Sequence, residues 1–335
     1  MRYFQSAIVA LSLACVAVIP AAAQDLNAYR AGYFAEAYPP RIAARIQAFN
    51  KTFESVGLGE DRQSKGLVNA ALLWPPQMDT ITICYMNGSQ PLRQFVTSIA
   101  LEWTRLGAHI PLDFGDTQDP RKCEKDGFAH IRVLLNDRGV NYSAIGVVSF
   151  KVLSQDEPSM QIGVINPESK QFVNPMELRR LILHEFGHAV GLSHEHQSPI
   201  GKCRDEYDWD VIYKKLAQPP HGWPKEQVDR NMNELNQPGV FASAFDNKSV
   251  MIYSFPREFY KQGEKSRCYA ETNFSISAID ATIVRELYPP DETKRVAKYD
   301  TLRKSLRQRI EASGSPESSK SAVFQVLDDL LPASR

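Results

Sequence analysis

Apolar positions along the chain change period several times, and each change marks an element. Ile42, Ile46 and Phe49 recur at helical spacing, which predicts a helix over 41–53. Ile81, Ile83 and Tyr85 alternate, as in a half-buried strand over 80–85. Asn87-Gly88 reads as a turn. Leu92, Phe95, Val96, Ile99, Trp103 and Leu106 return to helical spacing, and Gly107 is placed to stop that helix. Alternation predicts further strands through Ile110, Leu112 and Phe114, through Ile131, Val133 and Leu135, and through Val148, Phe150 and Val152. A short strand follows over 161–165.

The next helix has a clear start. Asn174 can cap it, Pro175 suits its first turn, and Glu177 stands three residues after the cap, as in a capping box. Leu178, Leu181, Ile182, Leu183, Phe186, Ala189 and Val190 make most of its circumference apolar, which predicts burial on nearly all sides. Beyond 194 the pattern weakens, and the chain is rich in Pro, Asn and Gly as far as Gly239. A helix resumes at Ser277, with Asp280 three residues on, and carries Ile279, Ile283, Val284, Leu287 and Tyr288 to the stop at Pro289-Pro290. The tail has a stripe of Leu302, Leu306 and Ile310 among Arg303, Lys304, Arg307 and Arg309. Gly314-Ser315-Pro316 breaks it, and Val323, Leu327 and Leu330 form a last amphipathic piece. A basic amphipathic helix can lie on a membrane, but docking on the protein body is the expectation here. Strands followed by helices predict an α+β domain, a twisted mixed sheet with helices packed on it.

Composition narrows the class. At 335 residues, 43% hydrophobic and 23% charged, the chain has the make-up of a soluble globular protein. Its formal net charge of zero favours no nucleic-acid partner and no membrane association. Arg2, the apolar run over 7–19 and Ala21-Ala22-Ala23 before Gln24 read as a signal peptide over 1–23. The mature chain is therefore expected to be secreted, into the extracellular space or a periplasm. Cys15 leaves with that segment, and Cys84, Cys123, Cys203 and Cys268 remain. An even set in an exported chain suggests two disulfides with three connectivities. Cys84–Cys123 and Cys203–Cys268 are expected, since each pair then stays within one half of the region that holds all four.

The chemistry sits on His184-Glu185-Phe186-Gly187-His188-Ala189-Val190-Gly191-Leu192-Ser193-His194-Glu195. Residues four apart share a helix face, so His184 and His188 aim at one point. Gly191 is where the chain can leave the helix, and His194 can then return as a third ligand. Three imidazoles suit one catalytic Zn2+ at about 2.0–2.1 Å, with a position left open. Glu185 stands where a carboxylate reaches a metal-activated water. The pattern H-E-x-x-H-x-x-G-x-x-H is the metzincin signature, and the chain resembles that clan of zinc endopeptidases. Glu195 after the third histidine draws the resemblance toward the astacin family. Ser249-Val250-Met251-Ile252-Tyr253 resembles the clan's Met-turn, with Ile252 in place of the astacin histidine.

The resemblance implies roles. Met251 would pack beneath the ligands, and Tyr253 would support the oxyanion. Glu195 would bind the new N-terminus of an activated enzyme, or hold the Met-turn or a loop. It also implies a metzincin-like domain over 71–290, with sheet and helices above the zinc cleft and a mostly irregular or helical lower part. Residues 24–70 become a candidate pro-segment, and 291–335 a helical tail. Astacin-like precursors carry a motif ending Gly-Asp. Gly59-Glu60-Asp61 departs from it and reads as an exposed turn. His221 reads as a solvated loop histidine. The expected function is a secreted zinc metalloendopeptidase acting on protein or peptide. The alternatives are a peptidase nearer the matrixin or serralysin branches, or a catalytically silent zinc-containing binding protein.

Overall fold

The computed structural model describes residues 38–57, 71–138, 140–166, 169–218, 222–233 and 244–330. The signal segment, Gly59-Glu60-Asp61 and His221 lie outside the described residues. In chain order the first elements are α1 (Pro40–Glu54), β1 (Ile81–Tyr85), α2 (Gln90–Ala100), β2 (Leu112–Asp113), β3 (Ile131–Asn136) and β4 (Tyr142–Ser143). Then come α3 (Val148–Lys151), β5 (Met160–Gly163), α4 (Pro175–Ala189), α5 (Cys203–Glu206), α6 (Trp209–Leu216) and α7 (Lys225–Met232). The last are α8 (Ala278–Leu287), α9 (Glu292–Ala312) and α10 (Glu317–Leu330).

The strands form one sheet in the order β2-β1-β3-β5-β4. Its first four strands pair in parallel and β4 runs antiparallel to β5. Buried positions are nearly continuous along β1 and β3. Such strands are covered on both faces, as parallel strands usually are. The helix α4 packs against α2, β4 and β5. Every residue from Arg180 to Val190 is buried. The all-round burial expected of it is thus observed, within an α+β domain.

Four local expectations need correction. Val148, Phe150 and Val152 do not alternate in a strand but lie in and just beyond the one-turn helix α3. Gly146, Val147, Val148 and Ser149 are consecutively buried, so no solvent face exists to impose a period of two. The strand expected through Ile110, Leu112 and Phe114 shrinks to Leu112–Asp113. The helix expected to run to Leu106 ends at Ala100, and Trp103–Leu106 is a tighter 3-10 turn closed by Gly107 at φ 76°. Glu177 does not complete a capping box, because its carboxylate accepts from Arg180 Nε at 2.9 Å. A buried charge pair three residues apart outcompetes a bond back to the cap.

A second apolar cluster lies in the lower part. It gathers Cys203, Tyr207, Ile212, Leu216, Trp223, Val228, Met232, Tyr253, Phe255, Phe259, Tyr260 and Cys268. Both expected disulfides are present, Cys84–Cys123 and Cys203–Cys268, with Cα atoms 4.9 and 5.5 Å apart. The first ties β1 to the chain that follows β2, and the second staples the lower cluster.

Both ends of the described chain join the main core. Ile42 and Phe53 of α1, Leu306 and Ile310 of α9, and Val323, Leu327 and Leu330 of α10 are buried in the same cluster as α4. Arg41 Nε and Arg45 Nη1 of α1 pair with Glu157 at 2.8 and 2.7 Å. Tyr38 donates its hydroxyl to Ser143 O of β4 at 2.8 Å. The tail's apolar stripe therefore packs on the body. No helix among the described residues is long and apolar enough to cross a membrane.

Gly187 carries a constraint that the periodicity did not reveal. A Cβ added there would meet Met251 Sδ at 2.3 Å and Trp103 at 3.2 Å. Glycine weakens a helix interior by up to about 1 kcal/mol relative to alanine. Its presence here lets Met251 pack directly on the helix backbone at a position between the two histidines in sequence. Gly187→Ala is therefore expected to destabilise, by about 1–3 kcal/mol of overpacking in a close-packed core. Urea titration measures it. In a Met251→Ala background the same substitution should cost less, and equal cost in both backgrounds would refute the contact's role.

Candidate metal centre

The site is built where α4 ends. Asn174 caps the helix by accepting the Met176 N–H at 2.9 Å, and Pro175 occupies the first turn. His184 and His188 sit one turn apart and are both buried. Val190 N–H reaches Phe186 O at 3.0 Å, and Leu192 N–H reaches Gly187 O at 2.9 Å, so the helix closes across Gly191. Gly191 takes φ 100°, and a Cβ there would strike Leu73 at 2.3 Å. Glycine alone fits this exit without strain. The chain then reverses and brings His194 back over the helix end.

The three imidazoles converge. Their ligand nitrogens lie within 4.8 Å of one another. His188 Nε2 and His194 Nε2 are 3.0 Å apart. Two nitrogens bound to one tetrahedral zinc stand about 3.3 Å apart, given bonds of about 2.0–2.1 Å. The outward nitrogens fix the tautomers. His184 Nδ1 meets Val250 O at 2.8 Å, and His188 Nδ1 meets Leu192 O at 2.8 Å. A carbonyl only accepts, so each Nδ1 carries a proton and Nε2 is the nitrogen left to face a metal. His194 Nδ1 meets Gln197 Oε1 at 3.2 Å in the same sense. Three imidazole nitrogens gathered this close fit a metal cation. The donor set is the one a catalytic zinc site uses.

Glu185 is fully buried beside the first ligand. Burial pushes the Tyr142 phenol of β4 up to about 12, and Glu185 is among the charges that add to the shift. Met251 lies beneath Gly187, between the two helical ligands in sequence. Tyr253 is buried with its ring centroid 4.3 Å from His194 and 5.6 Å from His184. The structure thus brings together His184, Glu185, His188, Gly191, His194, Glu195, Met251 and Tyr253.

Glu195 ties two loops. Its N–H donates to Met251 O at 3.1 Å, and its Oε1 accepts the Asp246 N–H at 3.0 Å. Burial pushes its carboxyl up to about 8, with Asp280 and Asp246 adding to the shift and the Asp246 N–H opposing it.

Several residues of the site lay outside the sequence reading. Asp280 is more than a cap. It completes a capping box with Ser277 at the start of α8. It also accepts from Ser249 Oγ at 2.6 Å and from Val250 N–H at 3.0 Å, which fixes the carbonyl that orients His184. Trp74 anchors the C-terminal end of α4, donating Nε1 to Ala189 O at 2.7 Å. His196 stacks on Tyr253 at 4.6 Å. Only Asp280 left a local signal, its spacing from Ser277.

No family model and no curated protein matches the chain. Solved structures do. The structure of myroilysin aligns with a TM-score of 0.54 and 27% identity, covering 65% of this chain and 96% of that one. A second myroilysin crystal structure gives 0.43 and 25% over 65% and 89%. High choriolytic enzyme 1, a hatching enzyme zinc-protease from the medaka fish Oryzias latipes, gives 0.42 and 14% over 65% and 95%. The first of these carries the comparison of folds. The chain thus shares a fold with myroilysin over 65% of its length, and within that fold the long histidine motif builds a three-histidine site able to hold a metal ion.

Proposed function

We propose that the chain is a secreted zinc-dependent endopeptidase with Glu185 as its general base and Tyr253 as an oxyanion donor. The carrying observation is the convergence of three Nε2 atoms, with Glu185 next to the first ligand on the same buried helix. Held by His184, His188 and His194, zinc would polarise a peptide carbonyl and lower the pKa of a water toward about 7. Glu185 takes the proton of the attacking water and passes it to the leaving amine. Tyr253 donates its hydroxyl to the oxyanion as charge develops there. His184 and His188 are held by main-chain carbonyls, so the site is pre-formed before substrate arrives. The substrate is a protein or peptide.

Export is supported by the pattern over 1–23 and by two disulfides, which persist in oxidising compartments. In this reading 1–23 is removed as the signal peptide and 24–70 is the N-terminal region preceding the catalytic domain over 71–290. The tail over 291–335 supports the body.

Casein or gelatin cleavage, lost with a chelator and regained with zinc, tests the activity. Zinc uptake without cleavage, before and after limited proteolysis, would leave a zinc-containing binding protein instead. Glu185→Gln is expected to keep one zinc per chain, by metal analysis, while turnover falls on the order of 10⁴-fold. Tyr253→Phe should also keep zinc and lose about 10²–10³-fold, as for one oxyanion donor. Undiminished cleavage by the Glu185 variant would sink the scheme.

A further inference from the structure

We propose that Gln197 is a positioning residue for the third ligand, through which the end of α7 sets the geometry of the metal site. The inference rests on the zinc-peptidase reading above and deepens it.

The three ligands are not held alike. His184 and His188 direct Nδ1 to main-chain carbonyls, which no side-chain substitution removes. His194 directs Nδ1 to a side chain, Gln197 Oε1, at 3.2 Å. It is also the one ligand that does not stand on α4. Its orientation therefore depends on what holds the Gln197 amide.

The amide is held from far along the chain. Gln197 Nε2 donates to Asn233 O at 3.1 Å. A carbonyl accepts only, so this bond fixes which end of the amide is nitrogen and turns Oε1 toward His194. Gln197 is 4% exposed, so little water competes for either bond. One residue earlier, His196 makes a parallel tie. Its Nε2 meets Asn231 O at 2.8 Å, and its ring stacks on both Tyr253 and His194, at 4.6 and 5.2 Å.

Asn231 lies in the last turn of α7 and Asn233 is its C-terminal cap. The final carbonyls of a helix have no partner within it and carry partial negative charge. They are apt acceptors for an imidazole N–H and an amide N–H. The helix α7 is itself anchored. Val228 and Met232 are buried in the lower cluster, and Asp229 accepts from Tyr213 of α6 and from Lys225. A rigid path thus runs from the lower cluster through α7 to Gln197 and on to His194. Groups that hold a metal-bound imidazole by its second nitrogen typically matter about 10–100-fold in metal affinity.

The experiment measures zinc affinity of the full chain by competition with a chromophoric chelator. The visible spectrum of the cobalt-loaded protein reports ligand geometry alongside. Gln197→Leu is expected to weaken zinc by about 10–100-fold and to alter the cobalt spectrum. Gln197→Glu keeps an acceptor for Nδ1 but loses the donor to Asn233. It is expected to weaken zinc measurably but less than the Leu variant, since the imidazole keeps an acceptor while the carboxylate loses the tie to α7 that orients it; native affinity in this variant would overturn the part given to α7. Unchanged affinity in the Leu variant overturns the proposal. So does equal weakening in both variants, because the loss would then come from the tie to Asn233 as a fold contact. Failure of the native chain to take up zinc would be a different result, overturning the peptidase reading and this inference with it.

Discussion

Three imidazoles turn one nitrogen each toward a single point, an arrangement that only the surrounding groups can hold in place. Two of the nitrogens stand 3.0 Å apart. The rest of the structure can be read as the frame that holds this arrangement. Each outer nitrogen is locked by an acceptor, so no ring can turn away or change tautomer without losing a hydrogen bond. The helix that carries two ligands is buried over every residue from Arg180 to Val190. Its exit is a glycine at φ 100°, where a side chain would collide with Leu73. A frame of this kind orders the ligands before the ion arrives, so binding does not have to order them.

The two parts of the fold achieve order differently. The upper part relies on a sheet and a large apolar cluster. The lower part has short helices and long irregular stretches, so backbone hydrogen bonding alone leaves it loose. A disulfide and buried carboxylates make up the difference. Asp280 accepts from Ser249, Val250 and Ser277, and Asp246 accepts from Ser277 while its N–H meets Glu195. Burial works against such groups, pushing Glu195 up to about 8 and raising Asp280 as well. Asp280 is tolerable because three donors meet it, and a buried acceptor left unmet costs about 1–3 kcal/mol. Its yield is geometric: it fixes Val250 O, on which His184 turns.

Much of this was legible in the sequence where the cause is local. The cap at Asn174, the capping box at Ser277 and the glycine exit at Gly191 each depend on residues within a few positions. The histidine spacing fixes a face of a helix and so survives translation into three dimensions. The ambiguity lay where burial is uniform. Val148, Phe150 and Val152 fit a period of two equally well as strand or as one turn of buried helix, and tertiary packing chose the helix. Glu177 shows local rules in competition, since Arg180 offers it a charged partner that the cap does not. Gln197 was not readable at all. Its role depends on a carbonyl 36 residues later, and nothing in the pattern around His194 announces which helix end comes to meet it.

The turn from Val250 to Tyr253 joins these lines. Val250 and Met251 belong to the upper apolar cluster, and Tyr253 belongs to the lower one. The chain passes from one core to the other within three residues, directly under the ligands. His184 and His188 are rooted in the upper core through α4, while His194 is held through Gln197 by α7, whose buried side chains lie in the lower core. The candidate metal centre therefore sits on the seam between two cores and takes ligands from both sides. Ile252 stands at that seam where astacins place a histidine, and it is buried at 4% exposure. An apolar residue there adds packing at the junction of the two clusters. This leaves the ring of Tyr253 framed by His194, His196 and Phe255, with centroids 4.3, 4.6 and 5.4 Å away. Aromatic rings on three sides thus hold Tyr253 at the seam, beside the third ligand.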